Sequence, residues 1–434
     1  MNLLAGATDN LLYVYVKQII PGGMDQPPPG SVLSALVSMP AGNLRFYHVD
    51  AGNRFHSSRF LCGMRIIRQA ASWFIITSIM EKQKVVVAMS GGVDSSVAAA
   101  LLKQQGYDVS GMMLRLWSEP GREDSNRCCT PDSMAQARRV AGLLDIPFYV
   151  IDAKDVFRET VVQYFLDGYA RGETPNPCLV CNRQIRWTFL LNHALALGAE
   201  YMATGHYVQI RSDESGKQQL LRSVDHSKDQ SYVLHVLTQE QLAHARFPVG
   251  EHPKPEIRRL ASDFGLPTAS RPDSQDLCFL AGGDYRNFLQ RNLPEILTPG
   301  EIVTVDGNVL GEHSGLANYT IGQRKGLGLA SPVPLYVIAK MAESNALVVG
   351  AQAELGVAEL TARDVNWVSG EAPLEPFHAQ VKIRYTAKEV AAWVLPMDGN
   401  QVQVRFDAKV RDATSGQAAV FYQGDVMLGG GIIV

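Results

Sequence analysis

The sequence predicts an α/β protein in which a domain built around a mostly parallel sheet is followed by smaller, β-rich domains. Three observations predict it. From Lys84 onward, β-branched segments alternate with Ala- and Leu-rich helical segments, an order typical of parallel strands joined by helical crossovers. A glycine-rich turn follows the first of these strands. After Pro299 the helical periodicity gives way to short alternating segments typical of antiparallel barrels.

The elements of the parallel domain are predicted from periodicity and from helix start and stop signals. Thr130-Pro131 predicts a helix start, whereas Gly106 and Gly198 predict helix ends. The pattern predicts strands over residues 84–89, 109–116, 148–152 and 201–204, and helices over residues 95–105, 155–169 and about 181–197. Helical signals continue to about residue 292.

The C-terminal part is predicted to be β-structure. Asp306-Gly307 predicts a hairpin turn between two short β-branched runs. Alternating runs over residues 381–385, 401–406 and 418–422 precede three consecutive glycines at 429–431. This pattern favours a small antiparallel barrel or sandwich.

Composition limits the class of protein. A chain of 434 residues with 46% hydrophobic and 19% charged residues has the composition of a globular protein of two or three domains, which excludes a disordered or coiled-coil chain. The net charge of -3 gives no overall basic surface. Any nucleic-acid partner must therefore be bound by local basic patches. No apolar run reaches the length of a membrane span, so we expect no membrane partner.

The cysteines indicate thiol chemistry or metal binding. Six cysteines are too few for a disulfide scaffold in a chain of this length, which predicts a reducing cytoplasm. The six are Cys62, Cys128, Cys129, Cys178, Cys181 and Cys278. Adjacent cysteines have poor chelating geometry, so packing is the interpretation favoured for Cys128 and Cys129.

Residues 1–79 differ from the rest of the chain. Their periodicity is weak, and their arginines begin only at Arg45. A targeting peptide would be Arg-rich and poor in acidic residues from the start. We favour a disordered N-terminal extension or a misplaced start, because Met80 stands four residues before a well-formed strand.

The strongest chemical signal is the turn after the first strand. Residues 85–96 read Val-Val-Val-Ala-Met-Ser-Gly-Gly-Val-Asp-Ser-Ser, a buried strand leading through glycines into a helix. Backbone N–H groups at such a turn point at one spot, and the helix dipole adds positive potential there. The turn therefore predicts a phosphate site. It lacks the lysine of a P-loop and the spacing of a dinucleotide fingerprint.

Two of the cysteines lie in settings that suit a reactive thiol. A thiolate is favoured by positive potential, and Cys181 is predicted at a helix start with Arg183 and Arg186 in the following turns. The Cys178-x-x-Cys181 spacing also allows zinc or iron–sulfur ligation, in which Cys278 would supply a third thiolate. The residues alone leave these alternatives open.

Several motifs, in this order along the chain, resemble those of the tRNA-specific 2-thiouridylases, a family of the ATP pyrophosphatase superfamily. The glycine-rich turn alone resembles the pyrophosphate loop of that superfamily. The motifs that narrow the resemblance are Thr-Pro-Asn-Pro-Cys-Leu-Val-Cys-Asn at 174–182, Ala-Thr-Gly-His-Tyr at 203–207, Lys-Asp-Gln-Ser-Tyr at 228–232, Asp-Ser-Gln-Asp-Leu-Cys-Phe at 273–279, Tyr-Thr-Ile-Gly-Gln-Arg-Lys-Gly-Leu-Gly at 319–328 and Gly-Gln-Ala-Ala-Val-Phe-Tyr at 416–422.

The resemblance implies a domain organisation and a reaction. It implies a parallel-sheet ATP pyrophosphatase domain of the adenine nucleotide α-hydrolase-like fold over residues 80–280, a small central β-rich domain over 281–355 and a C-terminal β-barrel over 356–434. It implies ATP-dependent 2-thiolation of the wobble uridine, U34, of tRNA. ATP with Mg²⁺ would adenylate the C2 oxygen, and sulfur from a cysteine persulfide would replace it, giving 2-thiouridine, AMP and pyrophosphate.

The resemblance also assigns roles to residues of this chain. Cys278 would carry the persulfide, supplied by a cysteine desulfurase or a sulfur-relay protein, and Cys181 would release the sulfur and end in a disulfide with Cys278. ATP would be bound by Ala88, Met89, Ser90, Gly91, Gly92, Val93, Asp94, Ser95, Leu114 and Gly205. The tRNA would be contacted by Asn176, Pro177, Cys178, His206, Lys228, Asp229, Gln230, Arg384, Tyr385 and Gln417. Many members have Asp where this chain has Cys178, so the general-base role of that position is open.

Two other functions compete with this interpretation. An amidating ATP pyrophosphatase would share the phosphate loop but would have no use for Cys181 and Cys278. A non-catalytic tRNA-binding protein would need neither the loop nor the thiols. A basic surface for tRNA is expected around Arg183, Arg186, Lys254, Arg258, Arg259, Arg324, Lys325, Arg384 and Arg411.

Overall fold

The computed structural model describes residues 82–121, 130–273, 277–280 and 283–434, together with the backbone of five strands nearer the N-terminus. The chain divides into two compact units, residues 1–81 and 82–434. The five strands form an antiparallel sheet in sequential order: β1 (Asn2–Thr8), β2 (Leu11–Lys17), β3 (Leu33–Ser38), β4 (Leu44–Val49) and β5 (Phe55–Ser58). The interpretation of residues 1–79 as an extension or a misplaced start stays a prediction. Cys62, Cys128 and Cys129 lie outside the described residues.

The second unit begins with the predicted parallel sheet. Its strands are β6 (Lys84–Ala88), β7 (Asp108–Arg115), β8 (Phe148–Asp152), β9 (Tyr201–Ala203) and, beyond the prediction, β12 (Ala245–Arg246). The spatial order is β12-β9-β6-β7-β8, and every pair is parallel. The chain runs outward from β6 in one direction and from β9 in the other. The crevice between β6 and β9 is thus the topological switch point, where open α/β sheets bind ligands.

The described residues of this unit also form nine α-helices, some of which pack on the sheet. They are α1 (Val93–Gln104), α2 (Pro131–Leu143), α3 (Lys154–Phe157), α4 (Gln163–Ala170), α5 (Pro177–Val180), α6 (Leu191–Ala196), α7 (Gln239–Ala243), α8 (Lys254–Asp263) and α9 (Tyr285–Asn292). Segments with π-type hydrogen bonds, Arg158–Val162 and Cys181–Leu190, join α3 to α4 and α5 to α6. The predicted start at Thr130-Pro131 is confirmed, because the Thr130 side chain accepts a hydrogen bond from Ser133 N.

The predicted helix start at Cys181 is wrong. The helix begins at Pro177, where Asn176 caps it by accepting a hydrogen bond from Cys178 N at 3.1 Å. Proline suits the first helical position, since its φ is already helical and the N–H it lacks would have no helical partner. Cys178 therefore occupies the first turn, and Cys181 lies one turn further along.

A hairpin that the sequence pattern did not predict joins the parallel domain to the C-terminal barrel. Strands β10 (Val208–Ser212) and β11 (Gln218–Arg222) pair with each other, and β11 pairs with the last strand of the chain at Leu220–Met427. One apolar core continues across this junction, containing Trp187 and Tyr232 from the parallel domain and Tyr422 from the barrel.

The two β-rich parts follow the predicted order. The central sheet has the order β14-β13-β16-β15, with β13 (Gly300–Thr304), β14 (Val309–His313), β15 (Tyr336–Met341) and β16 (Ala346–Gly350). The predicted Asp306-Gly307 turn joins β13 to β14, and Gly307 has a φ of 84°. The left-handed φ explains the glycine there.

The last six strands close into a barrel. They are β17 (Val357–Trp367), β18 (Phe377–Lys382), β19 (Val390–Met397), β20 (Gln401–Val410), β21 (Ala418–Gln423) and β22 (Val426–Ile433). The order β22-β17-β20-β19-β18-β21 is closed by pairing of β21 with β22. At Gly430 a Cβ would lie 2.8 Å from Ala419 O and 2.9 Å from the His235 ring. The glycine run therefore lets β22 lie directly against its neighbours.

Within the part of the chain that the structure describes, no helix is long and apolar enough to cross a membrane.

Candidate active site

The predicted phosphate loop lies at the switch point of the parallel sheet, between β6 and α1. Gly91 has a φ of 75°, and a Cβ there would lie 2.3 Å from Ser133 O, so the turn requires glycine for its conformation and for space. The helix is capped at Gly92 without any side-chain hydrogen bond. The N–H groups of its first turn are therefore not satisfied by a side-chain cap, an arrangement that suits an anion.

Serine hydroxyls shape the same loop. Ser95 Oγ lies 3.2 Å from Ser90 N and 3.3 Å from Ser90 Oγ, while Ser96 Oγ donates to Gly92 O at 2.8 Å. Ser90 is exposed, whereas Ser95 and Ser96 are buried. The buried hydroxyls hold the turn closed, and the exposed one faces the side from which a ligand would enter.

Gly205 forms the opposite wall of the crevice, just after β9. A Cβ at this position would lie 2.7 Å from Ser95 N and 2.8 Å from Asp94 C. Gly205 therefore packs directly on the backbone of the phosphate loop. Leu114, on the neighbouring β7, is half-buried, so the two residues predicted to shape an adenosine pocket flank the loop on different strands.

Behind the loop lies a group of five charged side chains, called here the Asp273 cluster: Asp94, Lys228, Lys254, Arg258 and Asp273. Lys254 Nζ donates to Asp94 Oδ1 at 2.7 Å and lies 2.9 Å from Asp273 Oδ1. Lys228 Nζ and Arg258 Nη2 bind Asp273 at 2.9 and 2.8 Å. The Lys254 side chain is only 9% exposed. A nearly buried ammonium group thus joins a carboxylate of the loop to a carboxylate of the segment that leads to Cys278.

The electrostatics of this cluster favour the charged form of Asp273. Partial burial raises the pKa of Asp273, but hydrogen bonds from Lys228 and Lys254 outweigh it and lower that pKa to about 2. Asp94 also accepts a hydrogen bond from Tyr207 OH at 2.7 Å. Arg271 Nη1 donates to Gly91 O at 3.3 Å. The segment that ends at Asp273 is therefore bound to the phosphate loop through two independent contacts.

The two thiols predicted to act in catalysis border one apolar cluster. Cys181 and Cys278 are half-buried, and both pack against a core that contains Phe165, Ile185 and Phe279. Phe279 follows Cys278 directly and contacts Phe165 with ring centroids 5.3 Å apart. The fold thus brings to one cluster two thiols that are distant in the sequence.

The loop before the helix of Cys178 is bound to the barrel. Thr174 N donates to Ser415 O at 2.8 Å, and Gln417 Nε2 donates to Thr174 O at 2.7 Å. Cys178 itself is exposed. Tyr385 of the barrel lies within electrostatic range of it: burial, followed by Asp229 and Cys178, raises the pKa of Tyr385. The barrel residues Ser415 and Gln417 therefore hold the chain directly before the helix that carries Cys178.

Arg384 is held at the same junction. Its Nη2 donates to Ile321 O at 3.0 Å and to Thr414 Oγ1 at 2.6 Å, so it joins the barrel to the central domain. Burial lowers the pKa of Arg384. At Gly322, in the loop that Arg384 contacts, a Cβ would lie 1.8 Å from Asp412 Oδ1. Nearby Arg324 and Lys325 are exposed.

Other residues predicted to contact tRNA are engaged inside the protein. Asp229 is buried and accepts hydrogen bonds from Ser223 N and Ser231 Oγ at 3.1 and 2.7 Å. Gln230 Oε1 accepts from Tyr207 N at 3.0 Å. These side chains hold the segment after β11 in place. Their roles in tRNA binding stay predictions.

His206 is buried between Arg186 and Thr204. Because a guanidinium can only donate, Arg186 Nη1 donates to His206 Nε2 at 2.9 Å, and His206 Nδ1 therefore carries the proton and donates to Thr204 Oγ1 at 2.7 Å. Burial, with the charge of Arg186, lowers the pKa of His206 well below its usual range. His206 is thus a neutral donor and acceptor rather than a cation.

The sequence does not reveal that Lys254 bridges Asp94 and Asp273, and it predicts Lys254 on a basic surface instead. Only the three-dimensional pairing of two carboxylates with one lysine distinguishes a bridge from a solvated charge. A partial signal existed in Pro253-Lys254-Pro255, which marks a helix start next to the lysine.

No group of three or more His, Cys, Asp or Glu side chains is placed to hold a metal ion among the residues described. Cys178, Cys181 and Cys278 are all described, so the three thiolates considered as iron–sulfur ligands do not form a ligand set in this conformation.

Comparison with known proteins identifies the family. Family models match residues 83–282 (the tRNA methyl transferase HUP domain), 286–351 (the tRNA methyl transferase PRC-barrel domain) and 357–433 (the aminomethyltransferase beta-barrel domain). The tRNA-specific 2-thiouridylase MnmA of Acetivibrio thermocellus is 46% identical over 358 residues, covering 82% of this chain and 100% of the relative. The one from Magnetococcus marinus is 48% identical over 356 residues, covering 82% and 99%. The chain therefore belongs to the tRNA-specific 2-thiouridylase family.

Proposed function

We propose that this protein uses ATP to replace the C2 oxygen of the wobble uridine, U34, of tRNA with sulfur, giving 2-thiouridine, AMP and pyrophosphate. The observation that carries the proposal is the pairing of two features in one fold. A phosphate loop lies at the switch point of the sheet, and the thiols of Cys181 and Cys278 border one apolar cluster. An amidating enzyme would need only the first feature.

The first step activates the base. A uracil carbonyl oxygen is a poor leaving group, so the C2 oxygen attacks the α-phosphorus of ATP and pyrophosphate departs. The backbone N–H groups of Gly91, Gly92 and the first turn of α1 would hold the phosphates. ATP would enter with Mg²⁺, which offsets the phosphate charge. Asp94, the loop carboxylate, is already paired with Lys254 and Tyr207, which lowers its repulsion of ATP.

The second step transfers sulfur. The terminal sulfur of a Cys278 persulfide attacks C2, and AMP leaves with the former C2 oxygen. The Cys181 thiolate then attacks Sγ of Cys278, which releases the sulfur as 2-thiouridine and leaves a Cys181–Cys278 disulfide. A dithiol reductant restores the thiols. Cys181 lies one turn into the helix that begins at Pro177, and the positive charges of Arg183 and Arg186 in the following turns favour its thiolate.

The tRNA would lie against the junction of the three domains. Asn176, Pro177 and Cys178 would border the target base, with Tyr385 available for stacking and Arg384 for a phosphate. Asn176 caps the helix, so its position is fixed before RNA binds. The base lies in a single-stranded loop, where turning it into a pocket costs little.

The chemistry of the two thiols indicates the kind of sulfur donor and the redox compartment in which the protein works. A persulfide on Cys278 requires a donor of persulfide sulfur, such as a cysteine desulfurase or a sulfur-relay protein. Cysteine usage favours the reducing cytoplasm, in which Cys181 and Cys278 return to thiols.

One experiment tests the function directly. The protein is incubated with ATP, Mg²⁺, a cysteine desulfurase with cysteine as the persulfide donor, and unmodified tRNA, which is then digested to nucleosides. We expect 2-thiouridine, with pyrophosphate release that depends on tRNA. Cys278→Ser should abolish thiolation supported by a persulfide donor. If folded protein releases pyrophosphate but forms no 2-thiouridine, and Cys278→Ser releases pyrophosphate at the wild-type rate, an amidating or other ATP pyrophosphatase reaction replaces this proposal.

A further inference from the structure

We propose that Asp273 and Lys254 are positioning residues that hold the Cys278 segment over the phosphate loop, so that sulfur transfer keeps pace with adenylation. This inference rests on the proposed function and goes beyond it. Asp273 has no role assigned above, and Lys254 was expected only as part of a basic surface for tRNA. The buried ammonium group of Lys254 binds two carboxylates: Asp94, beside the phosphate loop, and Asp273, before Cys278 in the chain.

The length of the chain between Asp273 and Cys278 limits how far apart these two residues can lie. Cys278 follows Asp273 by five residues, and an extended chain spans at most about 3.5 Å per residue. Fixing Asp273 therefore limits Cys278 to within about 18 Å of the Asp273 cluster. On its other side, Cys278 begins a short 3₁₀ helix, Cys278–Leu280, that packs against the cluster containing Cys181. The described residues on the two sides, Asp273 and Cys278, are thus both held in place, and the Asp273 cluster is the anchor on the ATP side.

The charges around Asp273 fix the position of its side chain. Three cations converge on the single carboxylate of Asp273, far more than its charge requires. One of them, Lys254, is shared with Asp94 in the first turn of the helix that follows the loop. Charge-assisted hydrogen bonds of 2.7 to 2.9 Å in a half-buried site define a position more tightly than neutral contacts do. A change in the loop would therefore be transmitted to Asp273 through Lys254.

Holding Cys278 in place also limits a side reaction, the hydrolysis of the adenylated uridine. Adenylated uridine that is not met by sulfur reacts with water, which regenerates uridine and releases AMP. Each such event uses one ATP and gives no 2-thiouridine. Holding the persulfide segment beside the loop shortens the exposure of the adenylate to water, because the nucleophile is already in place when the adenylate forms.

The test measures the ratio of two products in one reaction. Asp273→Asn keeps the shape of the side chain and removes the charge that three cations bind. Misplacing a reacting group by about 1 Å can cost about a hundredfold in rate. We expect 2-thiouridine formation to fall by about ten- to a hundredfold, with a smaller fall in tRNA-dependent pyrophosphate release. Pyrophosphate released per 2-thiouridine should therefore rise by about tenfold, with the KM for ATP unchanged.

Asp263→Asn is the matched control, since it makes the same chemical change at an exposed position of α8, where Asp263 pairs with Arg259. Its product ratio should equal that of the wild type. Lys254→Met serves as the second variant if Asp273→Asn does not fold, and it should also raise the ratio. A ratio that stays at the wild-type value in folded Asp273→Asn or Lys254→Met, whether or not both products fall together, overturns the inference. A wild-type protein that makes no 2-thiouridine would instead overturn the proposed function.

Discussion

Replacing Gly205 with alanine tests whether the phosphate loop and the end of β9 form one nucleotide site. The added Cβ would lie 2.7 Å from Ser95 N, 2.8 Å from Asp94 C and 2.9 Å from Asp94 Cβ. Ordinary contacts begin at 3.4 Å, so the loop backbone must move by about 0.7 Å at its closest approach. Since a displacement of about 1 Å can cost about a hundredfold, we expect kcat/KM for ATP to fall by about ten- to a hundredfold.

The assay is tRNA-dependent pyrophosphate release as a function of ATP concentration. Gly142→Ala is the control, because Gly142 lies in α2 and a Cβ there would meet no atom within 4 Å. The control should retain its kcat/KM and gain about 0.4 to 1 kcal/mol of stability from the lost freedom of the unfolded chain. If Gly205→Ala keeps wild-type kcat/KM while Gly142→Ala behaves as expected, nucleotide does not bind at this crevice.

Three further predictions follow from the interfaces between the domains. Tyr232→Phe removes a buried hydroxyl that donates to Ala418 O at 3.0 Å and accepts from Ala418 N at 3.1 Å. The free energy of unfolding measured in urea should fall by about 1 to 3 kcal/mol. The control Tyr149→Phe, at an exposed position, should alter it by less than about 0.5 kcal/mol. Burial lowers the pKa of His235 to about 4, so the unfolded chain takes up the proton first as the pH falls. Between pH 7.5 and pH 5 the free energy of unfolding should therefore decrease by about 2 kcal/mol through this group. If His235→Asn leaves the pH dependence of the free energy of unfolding unchanged, His235 is not its source. Arg384→Glu should weaken tRNA binding and lower its dependence on salt by about one phosphate contact, and binding equal to that of the wild type removes Arg384 from the interface.

The phosphate loop could be predicted from the sequence because its requirements are local. A buried strand, two glycines and a helix start lie within a dozen residues, and their backbone geometry follows from residue type. The same holds for the helix start at Thr130 and for the Asp306-Gly307 turn, both of which the structure has as predicted. The helix start before Cys181 was placed four residues late, since Pro177 was not taken as the first helical residue.

The features that depend on distant pairing could not be predicted. The strands β10 and β11 are short, and β11 joins the hairpin to a larger sheet by pairing with β22, some two hundred residues later. Lys228 is an ordinary surface charge in sequence, but in the fold it binds Asp273 at 2.9 Å. Burial decides whether such a residue contacts a ligand or holds the protein together, and burial is a property of the whole fold.

The hairpin gives the segment of residues 228–232 a structural role beside its proposed role in RNA binding. Because β11 continues the sheet of the barrel, the segment after it must pass between the two domains, where Ser231 Oγ lies 3.0 Å from Tyr422 OH. Its side chains then bind on both sides: Lys228 reaches the Asp273 cluster, and Tyr232 holds the first residue of β21. A continuous series of direct contacts therefore joins the barrel to the Asp273 cluster through residues 228–232.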